Sequence, residues 1–303
     1  MSAHGRFAPS PTGELHLGNA RTALLAWLWA RSEGGRFSVR VEDLDRPRVR
    51  PGLAAQQLDE LRWLGLDWDG EVMFQSQRSA AYDAALQRLD TYPCFCSRAE
   101  IAAAASAPHA GEEGPRYPGT CRDLDSGQRS ERARTRTPAL RLRVPAGAVE
   151  FEDLLSGRQR FDPQAEVGDF VLRRADGIHA YQLAVVVDDA AMGIDQVLRG
   201  ADLLPSTARQ ILLYRMLGAA EPRWAHAPLV LSAEGQRLQK RDRPTSLSAL
   251  RAAAAEPRHL IALLASISGL PAPAEGCAPG ELVPRFAPGL VPRHPVRVPP
   301  LGG

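Results

Sequence analysis

Long apolar runs are missing from this chain: none reaches the ~18 residues that a membrane-spanning helix needs. The first residues, Met1-Ser-Ala-His-Gly-Arg-Phe7, lack the apolar stretch of a secretory leader. Both absences speak against membrane and secreted classes and lead to a cytoplasmic expectation. A charge excess of one sign is missing as well, since 37 Lys and Arg face 35 Asp and Glu for a net +2. Overall charge therefore gives no argument for a nucleic-acid partner, although a local basic surface can still hold RNA phosphates. Cysteine is scarce, with only Cys94, Cys96, Cys121 and Cys277, which excludes a disulfide-framed scaffold. Internal repeats are absent. What is present is an ordinary globular balance, 44% hydrophobic and 24% charged. At 303 residues the chain is too long for one small core and suggests two or three domains.

Residues 5–10 read as a short buried strand that enters the loop Pro9-Ser-Pro-Thr-Gly13. Asn19 suits the N-cap of a helix through about Ala30, which Gly34-Gly35 ends. Phe37, Val39 and Val41 alternate with Ser38, Arg40 and Glu42, the period of a strand. Pro51 suits the first turn of a helix with Leu58, Leu61 and Leu64 on its apolar face. This order of elements predicts a doubly wound α/β domain. Residues 90–180 differ: they hold three cysteines, an Ala-rich segment, and an Arg-rich run from Ser126 to Thr137 that reads as a solvated loop. The apolar run Leu183–Val187 fits a parallel strand covered on both faces. Ala208–Leu217 reads as helix and Pro228–Leu231 as strand. The expected organisation is a Rossmann-type catalytic domain in two halves, 1–89 and 181–243, split by an insertion at 90–180. A short helical, Pro-rich region follows at 244–303.

Two motifs carry chemistry. In Arg6-Phe-Ala-Pro-Ser-Pro-Thr-Gly-Glu-Leu-His-Leu-Gly-Asn19 a loop enters a helix N-terminus, where backbone N–H groups and the helix dipole favour phosphate. Gly13 and Gly18 allow close approach of a nucleotide, and His16 can donate to a phosphate whose charge grows during reaction. The plain alternative is a Pro-rich turn with an incidental histidine. In Arg237-Leu-Gln-Lys-Arg241 a lysine on a loop can neutralise a triphosphate, and the plain alternative is a basic surface loop.

Together the motifs resemble those of class I aminoacyl-tRNA synthetases: His16-Leu-Gly-Asn19 is similar to the HIGH signature and Arg237–Arg241 to the KMSKS loop. The flanks Arg6–Gly13, Arg40-Val-Glu-Asp-Leu-Asp45, Leu64-Gly-Leu-Asp-Trp-Asp69 and Val197-Leu-Arg-Gly-Ala-Asp-Leu-Leu204 resemble glutamyl-tRNA synthetases, in register from residue 5 to about 243. Asn19 stands where the signature often has a second His, and Gln239 replaces the usual Ser. The resemblance implies an ATP-dependent ligase with His16 and Lys240 in catalytic roles. ATP and its Mg²⁺ would meet His16, Gly18, Asn19 and Lys240. Glutamate would meet Arg6, Phe7, Ala8, Pro9, Ser10, Glu42, Tyr181 and Arg199. The chemistry suits an acidic amino acid, because two arginine forks can bind two carboxylates and Glu42 the ammonium. Without the resemblance, Arg40, Glu42, Asp43, Asp45 and Arg46 would read as a solvated ion-pair cluster.

Thiolates suit zinc, which takes four tetrahedral ligands. The resemblance to short glutamyl-synthetase paralogues implies one structural zinc on Cys94, Cys96, Cys121 and the oxygen of Tyr117. His109 is the other candidate fourth ligand, and three buried unliganded cysteines are the plain reading. The brevity of the region after Lys240 leads to the expectation that no anticodon-binding domain is present. It points to the truncated paralogues that activate glutamate without RNA and glutamylate queuosine in the anticodon arm of tRNA(Asp). A monomer is expected, with phosphate contacts from arginines between Arg116 and Arg143. Two other readings are a compact glutamyl-tRNA synthetase charging a tRNA 3′ end and a non-catalytic RNA-binding relative. Intact Lys240, Arg6 and Glu42 argue against the last.

Overall fold

The computed structural model describes residues 3–104, 116–232, 234–236 and 246–299. Lys240, its neighbours in 237–245, and His109 lie outside these described residues. The chain begins β1 (His4–Phe7), α1 (Leu17–Ser32), β2 (Arg36–Val41), α2 (Leu53–Trp63), β3 (Met73–Phe74) and α3 (Ser79–Leu86). It continues β4 (Thr91–Cys94), α4 (Arg98–Ala104), α5 (Ser126–Ala133), β5 (Ala139–Leu142), β6 (Val149–Asp153), β7 (Gly157–Phe161), α6 (Pro163–Glu166) and β8 (Val171–Arg173). Then come α7 (Tyr181–Met192), β9 (Gln196–Gly200), α8 (Leu204–Leu217), β10 (Arg223–Ala227) and β11 (Val230–Leu231). The last elements are α9 (Leu247–Ala252), α10 (Pro257–Ser266), α11 (Pro279–Leu282) and β12 (Val296–Arg297).

The main sheet has seven strands in the order β3-β2-β1-β9-β10-β6-β7. All pairs in it are parallel except the β6–β7 hairpin. One apolar cluster joins α1, α2 and the C-terminal segment to one face, and a second joins α3, α7 and α8 to the other. This is the expected α/β doubly wound architecture. Strand order reverses between β1 and β9, so a crevice opens at their C-terminal ends. Close packing of α1 on the sheet depends on small residues. A Cβ on Gly5 would stand 3.1 Å from Ala30 Cβ and 3.4 Å from the Ala26 carbonyl. Leu24, Leu25 and Leu28 of α1 are fully buried, each contributing roughly 1.5–3 kcal/mol.

Several expectations are corrected. The run Leu183–Val187 is helical, within α7, not a strand. Leu183–Val186 are buried, with α7 packed against α8 and α3, so the run lacks the polar face that would reveal a helix, and a short apolar run has no diagnostic period. Gly193, left-handed at φ 67°, ends it. The N-cap of α1 is His16, because its ring nitrogen accepts the Gly18 N–H. Asn19 is the third helical residue and completes a capping box by accepting the His16 N–H. Pro51 lies in the turn before α2, whose N-cap is the left-handed Gly52. Ser126–Ala133 is an exposed helix rather than a loop, secured by a capping box of Asp125 and Gln128. Part of the 90–180 region returns to the main sheet: β4, β5 and β8 form a separate antiparallel sheet, while β6–β7 joins the edge at β10. The Pro-rich tail is packed, with Leu270, Cys277, Leu282, Phe286 and Val298 buried in the α1 cluster. Its β12 pairs with β11.

Candidate active site

A cleft of about 740 Å³ lies over the C-terminal ends of β1, β9 and β10. It is lined by Arg6, Phe7, Ala8, Pro9 and Ser10 from β1 and its loop, and by Glu42 just beyond β2. Tyr181 at the start of α7, Arg199 of β9, and His16, Gly18 and Asn19 at the start of α1 complete it. These residues, far apart in sequence, thus share one cavity.

At one end, charge is concentrated and largely buried. Arg6 makes a bidentate pair with Asp189, Nε to Oδ1 at 3.1 Å and Nη2 to Oδ2 at 3.2 Å. Arg40, fully buried, donates to the same Asp189 and, at 3.3 Å, to Glu42. Such pairs hold buried guanidinia and carboxylates in the charged form. Burial raises the Asp189 carboxyl, but Arg40 and Arg6 outweigh it and hold it down at about 2. Burial pushes Glu42 upward despite the opposing pull of Arg40 and Arg6. Arg199 is different. Among the described residues its hydrogen-bond acceptors are all neutral: His226 Nε2 at 3.0 Å, Thr207 Oγ1 at 2.8 Å, the Leu203 carbonyl at 3.3 Å and Tyr181 Oη at 3.5 Å. Burial lowers its pKa. A buried cation whose bonds go to neutral groups is suited to an anionic ligand.

At the other end, His16 Nδ1 accepts the Gly18 N–H at 3.0 Å. In neutral His16 the proton therefore resides on Nε2, as a donor. A Cβ at position 18 would come within 2.8 Å of the His16 ring, so glycine is required for this geometry. No acidic side chain occupies the first turn of α1, leaving its N-terminal field suited to phosphate. Gln57 holds the Pro9–Gly13 loop by donating to the carbonyls of Gly13 at 2.8 Å and Ser10 at 3.2 Å. The described flanks of 237–245 both reach this end: Val230 lines the cleft and Ser246 pairs with His16 as a β-bridge.

Sequence reasoning missed Asp189, Arg40, Gln57, Asp153 and His226. Asp188-Asp189 at the end of an apolar run was a usable signal, because buried acids need cationic partners. Arg40 is not part of a surface cluster; Asp188 also stands 4.0 Å from it and is held by Arg78, Tyr82 and Gln75. Gln57 carries no comparable signal.

In the small sheet, the sulfurs of Cys94, Cys96 and Cys121 all lie within 4.8 Å of one another and could hold a metal ion. The Cys96–Cys121 separation is 3.5 Å, close to the roughly 3.8 Å edge of a tetrahedron with 2.3 Å metal–sulfur bonds. Tyr117 Oη is 3.5 Å from Cys94 Sγ and accepts the Cys121 N–H at 2.8 Å, so its oxygen borders the sulfur triangle. Arg141 stacks on the Tyr117 ring at 3.8 Å and Arg132 reaches Cys121 Sγ at 3.7 Å, cations that offset thiolate charge. The residues present fit a thiolate-rich structural metal.

No helix among the described residues is long and apolar enough to cross a membrane. The family model for tRNA synthetases class I (E and Q), catalytic domain, matches residues 2–275. A glutamyl-Q tRNA(Asp) synthetase of Symbiobacterium thermophilum is 53% identical over 97% of this chain and 95% of its own length. The protein of that name from Nocardia farcinica is 54% identical over 96% and 91%. A glutamate tRNA ligase from Elizabethkingia meningosepticum, solved in complex with its amino acid, superposes with a TM-score of 0.85. That match is 28% identical and covers 99% of this chain and 67% of that one. The chain therefore belongs to the class I aminoacyl-tRNA synthetase ligases, on the glutamate and glutamine branch, with the glutamyl-Q tRNA(Asp) synthetases.

Proposed function

We propose that this protein activates L-glutamate with ATP in the absence of RNA and transfers it to queuosine in the anticodon of tRNA(Asp). The observation that carries the amino-acid half is the grouping of Arg6, Glu42, Tyr181 and Arg199 at one end of the cleft. Arg199 takes the side-chain carboxylate and Tyr181 packs beside it. Arg6 takes the α-carboxylate, and Glu42 takes the ammonium, with Phe7, Ala8, Pro9 and Ser10 shaping the wall. The α-carboxylate oxygen attacks the α-phosphorus of ATP, forming glutamyl-adenylate and releasing pyrophosphate. His16 Nε2–H, the backbone at Gly18 and Asn19, and Lys240 stabilise charge that grows on the phosphates. Mg²⁺ accompanies ATP and offsets its charge.

The acceptor half draws on the relatives bearing that name, at over 50% identity across nearly their whole length. The cis-diol on queuosine's cyclopentene ring offers a hydroxyl that resembles a terminal ribose. Its oxygen attacks the adenylate carbonyl, an ester forms, and AMP leaves. Zinc on Cys94, Cys96, Cys121 and Tyr117 would be structural and stiffen the small sheet. The test is pyrophosphate exchange into ATP with glutamate and Mg²⁺ but no tRNA. Exchange with glutamate and little with glutamine is expected; equal rates with both would sink the pocket assignment.

A further inference from the structure

Arg199 is held by a chain of buried groups that begins outside the cleft. Asp153, at the end of β6, is 1% exposed, and His226 of β10 is fully buried. Asp153 Oδ1 accepts three backbone N–H groups, from Leu155 at 3.0 Å, Ser156 at 2.8 Å and His226 at 3.2 Å. Its Oδ2 stands 2.6 Å from His226 Nδ1. The other ring nitrogen, Nε2, faces Arg199 Nε at 3.0 Å and Thr207 Oγ1 at 3.1 Å. A guanidinium can only donate, so Nε2 must accept and Nδ1 must carry the proton toward Asp153. An imidazolium would set two donors against each other. Burial drives His226 the same way, down to about 4, with Arg199 adding to it against the pull of Asp153. Thr207 closes the circuit, because its hydroxyl accepts from Arg199 Nη2 and has its own proton to give to Nε2.

We infer that Asp153 and His226 are positioning residues for amino-acid recognition: Asp153 fixes the tautomer of His226, and His226 Nε2 fixes the plane of Arg199. With Nε on His226 and Nη2 on Thr207 and Leu203, the Nη1 edge beside Tyr181 is left for a ligand carboxylate. This rests on the reading of Arg199 as the contact to the glutamate side chain.

Asp153→Asn tests it with almost no change of shape. The three backbone N–H groups keep the amide oxygen where Oδ1 is now. The amide NH₂ then points at His226 Nδ1 and makes it an acceptor. The proton moves to Nε2, donor meets donor at Arg199, and the guanidinium loses its brace. His226→Gln removes the invertible ring while leaving an amide oxygen able to reach Arg199. In full-length protein labelled with [¹⁵N]histidine, His226 (the resonance absent from His226→Gln) should carry its proton on Nδ1, and on Nε2 after Asp153→Asn. In glutamate-dependent pyrophosphate exchange, Asp153→Asn should raise the glutamate KM about tenfold or more, the scale of a lost hydrogen bond to a charged group. The KM for ATP should not move, and Asp153→Asn/His226→Gln should recover most of the loss. A wild-type proton on Nε2, or an inverted tautomer with an unchanged glutamate KM, would overturn the inference, as would a double variant no better than Asp153→Asn. Arg199→Gln separates the two readings. An unchanged glutamate KM there refutes the role of Arg199 itself, whereas a raised KM there with a normal Asp153→Asn refutes only the positioning. Should Asp153→Asn fail to fold, the wild-type tautomer and the His226→Gln kinetics still decide.

Discussion

In the proposed pocket Arg199 is the residue that prefers an acid over its amide, because its charge is buried and its partners among the described residues are neutral. Arg199→Gln should raise the glutamate KM at least about 30-fold, the cost of losing one partner of a buried charge pair, and narrow the gap to glutamine. Steady-state exchange with both amino acids measures it. Lys240 should act differently. Its contact strengthens as the triphosphate reacts, so Lys240→Ala should lower kcat about 10²-fold with little change in glutamate KM. Unchanged turnover would assign the segment to the surface. Residue by residue, the atoms that touch ligand in the proposal were legible because their types match the ligand's charges: Arg for carboxylate, Glu for ammonium, His and Gly for phosphate. The residues behind them were not. Asp189, His226 and Asp153 lie 183, 220 and 147 positions from Arg6 and act only through pairing that folding creates.

Among the elements, α1 and β2 are readable because a Pro/Gly loop and a Gly pair bracket the first and alternation marks the second, although the N-cap of α1 falls at His16 and not Asn19. In α7 the stretch Leu183–Val186 is buried residue after residue, so the run shows no helical period and reads as a strand. The β6–β7 hairpin was assigned to the insertion, since chain order alone does not disclose that β6 returns to β10. The small sheet offers its own test. Its cluster of Tyr92, Cys94, Phe95, Tyr117 and Cys121 is small and itself contains two of the three cysteines proposed to hold zinc. Purified protein should hold about one zinc, and Cys121→Ser should release it. Hydrogen exchange should then quicken in the described parts of 90–125 and stay slow in β1, β2 and β9. Metal analysis finding no zinc in protein prepared without chelators would refute the assignment.

Across the whole molecule, buried charge ties stability to pH. His226 is held neutral with a folded pKa of about 4, below the ordinary 6.5. The unfolded chain therefore binds more protons between these values. Its contribution is complete above about pH 6.5 and is lost as pH falls toward 4, at most about 3 kcal/mol. Asp189, held at about 2, works lower: its contribution is complete above about pH 4 and is lost as pH falls toward 2. Denaturant titrations should show stability falling from pH 6.5 to 4, with a shallower slope in His226→Gln. The same slope in both would remove His226 from the explanation. The packed tail belongs to this scale too. Its strand β12 braces β11, which leads toward Lys240, while Ser246 on the far side pairs with His16.

Chemistry and acceptor meet in one experiment. Labelled glutamate, ATP and Mg²⁺ are incubated with the protein and total tRNA, the tRNA is digested, and the nucleoside bearing the label is identified by mass. The expected product is queuosine carrying glutamate as a base-labile ester, found in tRNA(Asp) and absent from tRNA that lacks queuosine. Label on the 3′-terminal adenosine would contradict the proposed acceptor.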